Sequence, residues 1–334
     1  MLKFMYHFSA GILASLAVAF GATHSMAAEK VVMQIDGAAV PFYAPLYAGV
    51  EQGFFKENDI DVEFIYSAAS DILTNVAAGN VDFGFPNGDA VVAARANGLP
   101  VVVVHTTYQR GIGALLAKAS SGITTYADLK DKTVAISSLG SPNYIQLKVG
   151  LKNVGLSLED IKLEIVATGA IVQSLQAGQV DAIVFSELRK YALEAGGDEV
   201  TMILSNDFLP SFGNVVVTSE KTLSENPDLV KRFTAAVSRS YQWVIDGHVE
   251  DALQISFDKY TPTWADQKDI LTRAFNETFA TSVWQSDLTK TNGLGAADLE
   301  AWQQNVDLLK EYGVIKNAPS ASDFVVDPAK IGMQ

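Results

Sequence analysis

The chain states one phrase twice, and that repetition limits its fold more than any other feature. Residues 72–83 read I-L-T-N-V-A-A-G-N-V-D-F and residues 171–182 read I-V-Q-S-L-Q-A-G-Q-V-D-A, at a constant offset of 99 positions. Each copy reads as a short helix with apolar residues at helical spacing, then a glycine stop at Gly79 or Gly178, then a buried strand. Two copies this far apart cannot stack as a solenoid, so they predict two similar α/β lobes in one chain. Ligands of open α/β sheets lie beyond the carboxyl ends of the strands. That rule places Pro86, Asn87, Gly88 and Asp89 of one lobe opposite Ser186 and Glu187 of the other, across a cleft.

The first residues read as an export signal. Lys3 precedes an apolar run over 11–22, and Ser25, Met26 and Ala27 set the cleavage point between Ala27 and Ala28. The run is too short to span a bilayer comfortably, so the expectation is a protein free in the periplasm. The sequence contains no cysteine, which excludes disulfides, thiolate metal sites, thiol catalysis and a lipoprotein anchor. A formal charge of −14 without any basic cluster argues against nucleic acid or an anionic membrane as partner.

Strands are expected over 31–35, 62–66, 81–85 and 101–105 in the first lobe. In the second they fall over 114–118, 133–137, 183–185 and 201–205. From Asn214 the chain reads as returning to the first lobe, with a strand over 215–217 and a long helix opened by Asn226 and Pro227. The first lobe is therefore drawn from 28–107 and 218–334 and the second from 108–217. The two crossings, near Tyr108 to Arg110 and Asn214 to Ser219, make a hinge.

Nothing in the sequence demands catalysis. His105 and His248 stand apart from each other, no G-x-S-x-G or H-E-x-x-H pattern is present, and no glycine fingerprint follows the first strand. A lone histidine ending an apolar strand, as His105 does, reads as structural. The aromatic residues Phe42, Tyr43, Phe85, Tyr144, Phe185 and Phe212 fall at predicted carboxyl edges, where a flat ring can be stacked. The small residues from Ser138 through Gly140 and Ser141 precede a helix that begins near Tyr144, so backbone N–H groups there face a ligand. Glu187, directly after an apolar strand, reads either as an acceptor for a ligand amino group or as a helix cap. In the acceptor reading, Glu187→Gln weakens ligand binding and leaves stability nearly unchanged.

Several stretches together resemble a known family. They are Phe42-Tyr43-Ala44-Pro45-Leu46-Tyr47, Gly53-Phe54-Phe55, the two Ala-Gly-x-Val-Asp phrases, Pro210-Ser211-Phe212-Gly213-Asn214, and Asn226-Pro227-Asp228-Leu229. The resemblance is to periplasmic substrate-binding proteins of ABC importers that take up thiamine-precursor pyrimidines, riboflavin or alkyl sulfonates. It implies a type II periplasmic-binding-protein fold of α/β class, no catalysis, no metal or cofactor, and a monomer that serves a permease with its ATPase. It also implies a ligand-contacting acid at Glu187. The expected site is Asp36, Phe42, Tyr43, Asn87, Asp89 and Gln109 with Ser138, Gly140, Ser141, Tyr144, Glu187, Phe212 and Asn214. Gly37 and Tyr43 stand where the pyrimidine branch often has Trp and His, which leaves the ligand open between a pyrimidine, a flavin and a sulfonate. A yeast pyrimidine synthase of the same family consumes its own histidine and uses a cysteine-rich iron site, to which a chain without cysteine is poorly suited.

Overall fold

The computed structural model of the protein describes Met1 and residues 28–139 and 141–333. The expected export segment and its cleavage point, and Gly140 of the expected site, lie outside the described residues. Four strands form first: β1 (Glu29–Asp36), β2 (Ile60–Ser67), β3 (Phe83–Phe85) and β4 (Val101–His105). The chain then crosses to a second sheet of β5 (Gly113–Lys118), β6 (Thr133–Ile136), β7 (Lys162–Ile165), β8 (Ala182–Ser186) and β9 (Val200–Leu204). It returns with β10 (Val216–Ser219), and the sheets have the orders β2-β1-β3-β10-β4 and β7-β6-β8-β5-β9.

The two orders are the same pattern. In each sheet the strand that has just arrived from the other side, β10 or β5, sits second from the edge and runs antiparallel to both neighbours. The other pairs are parallel. Strand β7, an exposed edge of sequence K-L-E-I, is absent from the sequence-based expectation because it buries too little to show an apolar run.

The repeated phrase acquires a physical reason. In the first copy the helix Ala69–Ala78 ends at Gly79 with φ +74°, and Gly79 and Asn80 donate backbone N–H to Val76 and Asn75. The second helix, Ile171–Gln176, stops in the same way, with Gly178 at φ +70°. This left-handed position is why glycine closes both copies. The aspartate that follows then ties the new strand to its neighbour. Asp82 accepts from the Val32 N–H at 2.8 Å, and Asp181 accepts from the Thr133 N–H at 2.8 Å. Asp82→Ala is expected to lose about 1 to 2 kcal/mol of stability and the more exposed Asp181→Ala less, measured by denaturant unfolding; equal, negligible losses would show that the phrase is kept for another reason.

Two hydrophobic clusters pack the two faces of the first sheet, and two smaller ones pack the second. The helices after β10 pile onto the first sheet, beginning with the 19-residue Pro227–Ile245, whose inward face includes Leu229, Phe233, Val237 and Tyr241. The helices after β10 also reach the other lobe, where the π-helix Phe275–Val283 sets Thr278 Oγ1 2.7 Å from the Tyr191 hydroxyl. Among the described residues, no helix is long and apolar enough to cross a membrane.

The candidate ligand-binding cleft

The two crossings run side by side and are bonded to each other. Tyr108 N–H donates to Asn214 O at 2.9 Å and Gly111 N–H to Ser211 O at 2.7 Å, while Gly213 N–H donates to Arg110 O at 3.3 Å. Two glycines permit this approach. A Cβ on Gly213 would lie 2.7 Å from the Tyr108 ring, and one on Gly111 would strike the Ser211 hydroxyl.

A cleft of about 190 Å³ opens against this hinge. The first lobe contributes Asn87 and Asp89, at the start of the helix Gly88–Ala96. Phe185 and Ser186 come from the end of β8, and Asn143 and Gln146 from the first turns of the helix Pro142–Asn153. The crossings supply Gly111, Ser211, Phe212 and Asn214. Phe212 is stacked on Trp302 at 4.1 Å, and the guanidinium of Arg189 covers one face of Phe185 at 5.0 Å. Gly113 leaves the space in which the Gln146 carboxamide lies.

Of the residues expected at the site, the fold brings Asn87, Asp89, Phe212 and Asn214 into the lining. Asp36 and Tyr43 stand just behind them: the Tyr43 hydroxyl donates to Asp36 O at 2.8 Å, and the Tyr43 ring packs edge-on against Phe85. Burial pushes the Asp36 carboxyl up, with Asn87 beside it pulling partly back.

The remaining expected residues are placed elsewhere. Phe42 is packed against Phe279 and Trp264. Gln109 belongs to the hinge, where its amide donates to Thr106 O and Ala296 O and accepts from Ser286. Ser138 is exposed and its carbonyl accepts from the Ser141 hydroxyl at 2.9 Å, while Tyr144 packs on the core of the second lobe. Glu187 is buried outside the cleft lining, and both of its oxygens are engaged by one guanidinium. Arg110 grips Oε1 at 2.5 Å and Oε2 at 3.2 Å, and also donates to Ser282 Oγ of the first lobe at 2.9 Å. Its side chain caps no helix either.

Sequence reasoning missed Gln146, Asn143 and Ser211. The only available signal was position: Asn143 and Gln146 lie three apart at a helix start that faces a strand end.

Among the described residues that line the cleft, Asp89 is the one ionisable side chain. Its burial pushes the carboxyl up to about 6, against a hydrogen bond from Asn305 that lowers it. His105 is separate from the cleft, held by Thr107 Oγ1 at 2.8 Å and Ser238 Oγ at 3.0 Å, and burial pushes its pKa down to about 3. A histidine lowered in this way supports the fold fully above its ordinary pKa of about 6.5, and that support is lost as pH falls from there towards about 3. Melting temperature is therefore expected to drop between pH 7 and pH 4, and to drop less in His105→Gln; parallel profiles would assign the acid sensitivity elsewhere.

Two α/β lobes of matching strand order, joined by paired crossings and opening on one cleft, define the type II periplasmic-binding-protein fold. The chain belongs to the NMT1/THI5 like family, whose sequence profile matches residues 40–250. It is 25% identical over 276 residues to the riboflavin-binding protein RibY of Chloroflexus aurantiacus, covering 82% of this chain and 78% of that one. It is 22% identical over 308 residues to the formylaminopyrimidine-binding protein of Halalkalibacterium halodurans, covering 90% and 91%. A 4-amino-5-hydroxymethyl-2-methylpyrimidine phosphate synthase of Candida albicans is 25% identical over 270 residues, covering 76% and 78%. Among solved structures, the putative periplasmic sulfonate-binding protein SsuA of Methylobacillus flagellatus superposes with a TM-score of 0.67 at 18% identity, over 90% of this chain and 92% of that one.

Proposed function

We propose that the protein is the exported substrate-binding component of an ABC importer, and that it closes its two lobes on a single-ring nitrogen heterocycle of the thiamine-precursor pyrimidine type. One observation carries this reading: the cleft is lined from both lobes and the hinge by side-chain amides, serines and two phenyl rings, with no uncommitted cation among the described lining residues. Amides and hydroxyls supply donors and acceptors to a heterocycle's edge, and phenyl rings supply stacking. A sulfonate needs positive charge. The hinge guanidinium of Arg110 is neutralised by Glu187, that of Arg189 lies over the face of Phe185 outside the lining, and Asp89 adds a carboxylate to the wall.

The size of the cleft favours one ring over the three fused rings of a flavin. Riboflavin remains the second reading, on the strength of the riboflavin-binding relative. A synthase reading lacks side chains here. The chain has no cysteine, His105 is held by two hydroxyls outside the cleft, and His248 is stacked on Trp243 at the surface. Among the described residues no group of three His, Cys, Asp or Glu side chains is placed to hold a metal. The protein acts as a monomer and hands its ligand to a membrane permease.

Closure reports occupancy only when the ligand touches both lobes and so favours the closed form. In the structure the lobes are already bridged, by Tyr191 with Thr278, Arg273 with Glu194, and Tyr312 with Asn153. Small-angle X-ray scattering on ligand-stripped protein, before and after a saturating pyrimidine, is expected to show the radius of gyration fall. An unchanged radius at saturation, from a stripped form that scatters as the open one, would contradict closure.

A further inference from the structure

We propose that the helix Arg189–Ala195 is a latch that holds part of the ligand-free protein closed, by burying side chains of the second lobe in the core of the first. The inference concerns the two lobes alone and holds for whatever ligand the cleft takes. The helix follows closely on β8, and its apolar residues serve different lobes. Leu193 is packed in a core cluster of the second lobe. Leu188, just ahead of the helix, and Tyr191 are 6% and 2% exposed and belong instead to a cluster that packs one face of the first sheet.

The first lobe meets this helix with matching groups. The Tyr191 hydroxyl and Thr278 Oγ1, 2.7 Å apart, form a buried contact. The Arg273 guanidinium lies over the Tyr191 ring at 5.2 Å and donates to Glu194 Oε2 at 2.9 Å, and Lys190 also reaches Glu194, at 3.7 Å. The wide turn of the π-helix puts Thr278 and Ser282 on one face, and Ser282 accepts from Arg110 at the hinge. The run from Phe185 to Glu194 therefore carries a ring of the cleft wall, the acid of the hinge pair and the latch. Opening the cleft draws this run away from the π-helix, exposes Leu188 and Tyr191 to water and parts Arg273 from Glu194. Apolar burial and a shielded hydrogen bond thus favour the closed form before any ligand arrives. The ion pair adds less, because Arg273 is 47% exposed. With part of the population already competent, a ligand needs less differential affinity to complete closure.

The chain has no cysteine, so nitroxides attached at Ser70→Cys and Thr168→Cys, exposed just beyond β2 and β7, report the width of the cleft mouth by double electron–electron resonance. The ligand-stripped protein is expected to show a short and a long distance. Tyr191→Phe combined with Arg273→Met should lower the ratio of short to long roughly fivefold or more. Arg239→Met, which breaks a pair inside the first lobe, should leave the ratio unchanged. Thermal melting in parallel shows that the variants are folded. If the combined variant melts early, Tyr191→Phe alone, which keeps the ring in place, is read instead and should lower the ratio roughly twofold or more. An unchanged ratio, or one and the same distance in every protein, would overturn the latch and show that the helix is a fixed pivot. No ligand enters the measurement, so either result leaves the proposed ligand class to its own test.

Discussion

Arg110→Met is expected to destabilise the protein by about 3 to 5 kcal/mol, because it leaves the Glu187 carboxylate buried without a partner. Glu187 has only 4% of its side chain exposed and Arg110 16%, so water cannot take the place of either. The double variant Arg110→Met with Glu187→Leu should recover most of the loss, since apolar side chains of similar volume often replace a buried pair without penalty. Denaturant unfolding of the three proteins measures this. A single-variant loss below about 1 kcal/mol would show that the pair is solvated or broken in solution, for exposed pairs contribute no more than that. The pair also spans the hinge: Arg110 lies on the first crossing, Glu187 at the end of β8, and Ser282, the third member, on the π-helix of the first lobe. Beside this pair, the sequence-based expectation for Glu187→Gln, lost binding at unchanged stability, is tested by the same unfolding measurement together with ligand binding.

Trp302→Ala is expected to lose about 3 to 5 kcal/mol of stability and most ligand affinity as well. Trp302 is fully buried, stacks on Phe212, and meets Phe324 edge-on at 6.0 Å. Its indole N–H donates to Thr106 Oγ1 at 3.3 Å, so removing it also takes one hydrogen bond from the start of the first crossing. Trp302→Phe keeps a ring behind Phe212 and should retain more of both quantities. A Trp302→Ala protein that binds ligand normally would show that Phe212 needs no backing and that the cleft wall lies elsewhere.

The architecture was legible because it is written in local patterns. The phrase at Ile72 and Ile171 carries its own helix, stop and strand, and the apolar run at Val101 marks a buried strand wherever it pairs. The lining was legible where it follows a strand end, as at Asn87 and Asp89, and at Phe212 and Asn214, within a stretch that carries the family resemblance. Glu187 shows the limit of such reasoning. Its position beyond β8 was evident, but its partner Arg110 lies 77 residues away, and only the folded hinge brings the two together. Gln146 was missed for a related reason, since its place depends on the absent side chain of Gly113 on a strand that arrives from the other lobe. Gln109 reads as a polar residue at a crossing, and nothing local reveals that Thr106, Ala296 and Ser286 use its amide.

The account's central claim is that a neutral single ring, held by amides and phenyl groups, occupies the cleft. Mass spectrometry of the small molecules released when protein purified from the cells that make it is denatured tests it most directly. The account predicts one nitrogen heterocycle of pyrimidine size at close to one per chain, absent from protein carrying Phe185→Ala. A sulfonate or other anion recovered at that ratio, with no heterocycle, would contradict it.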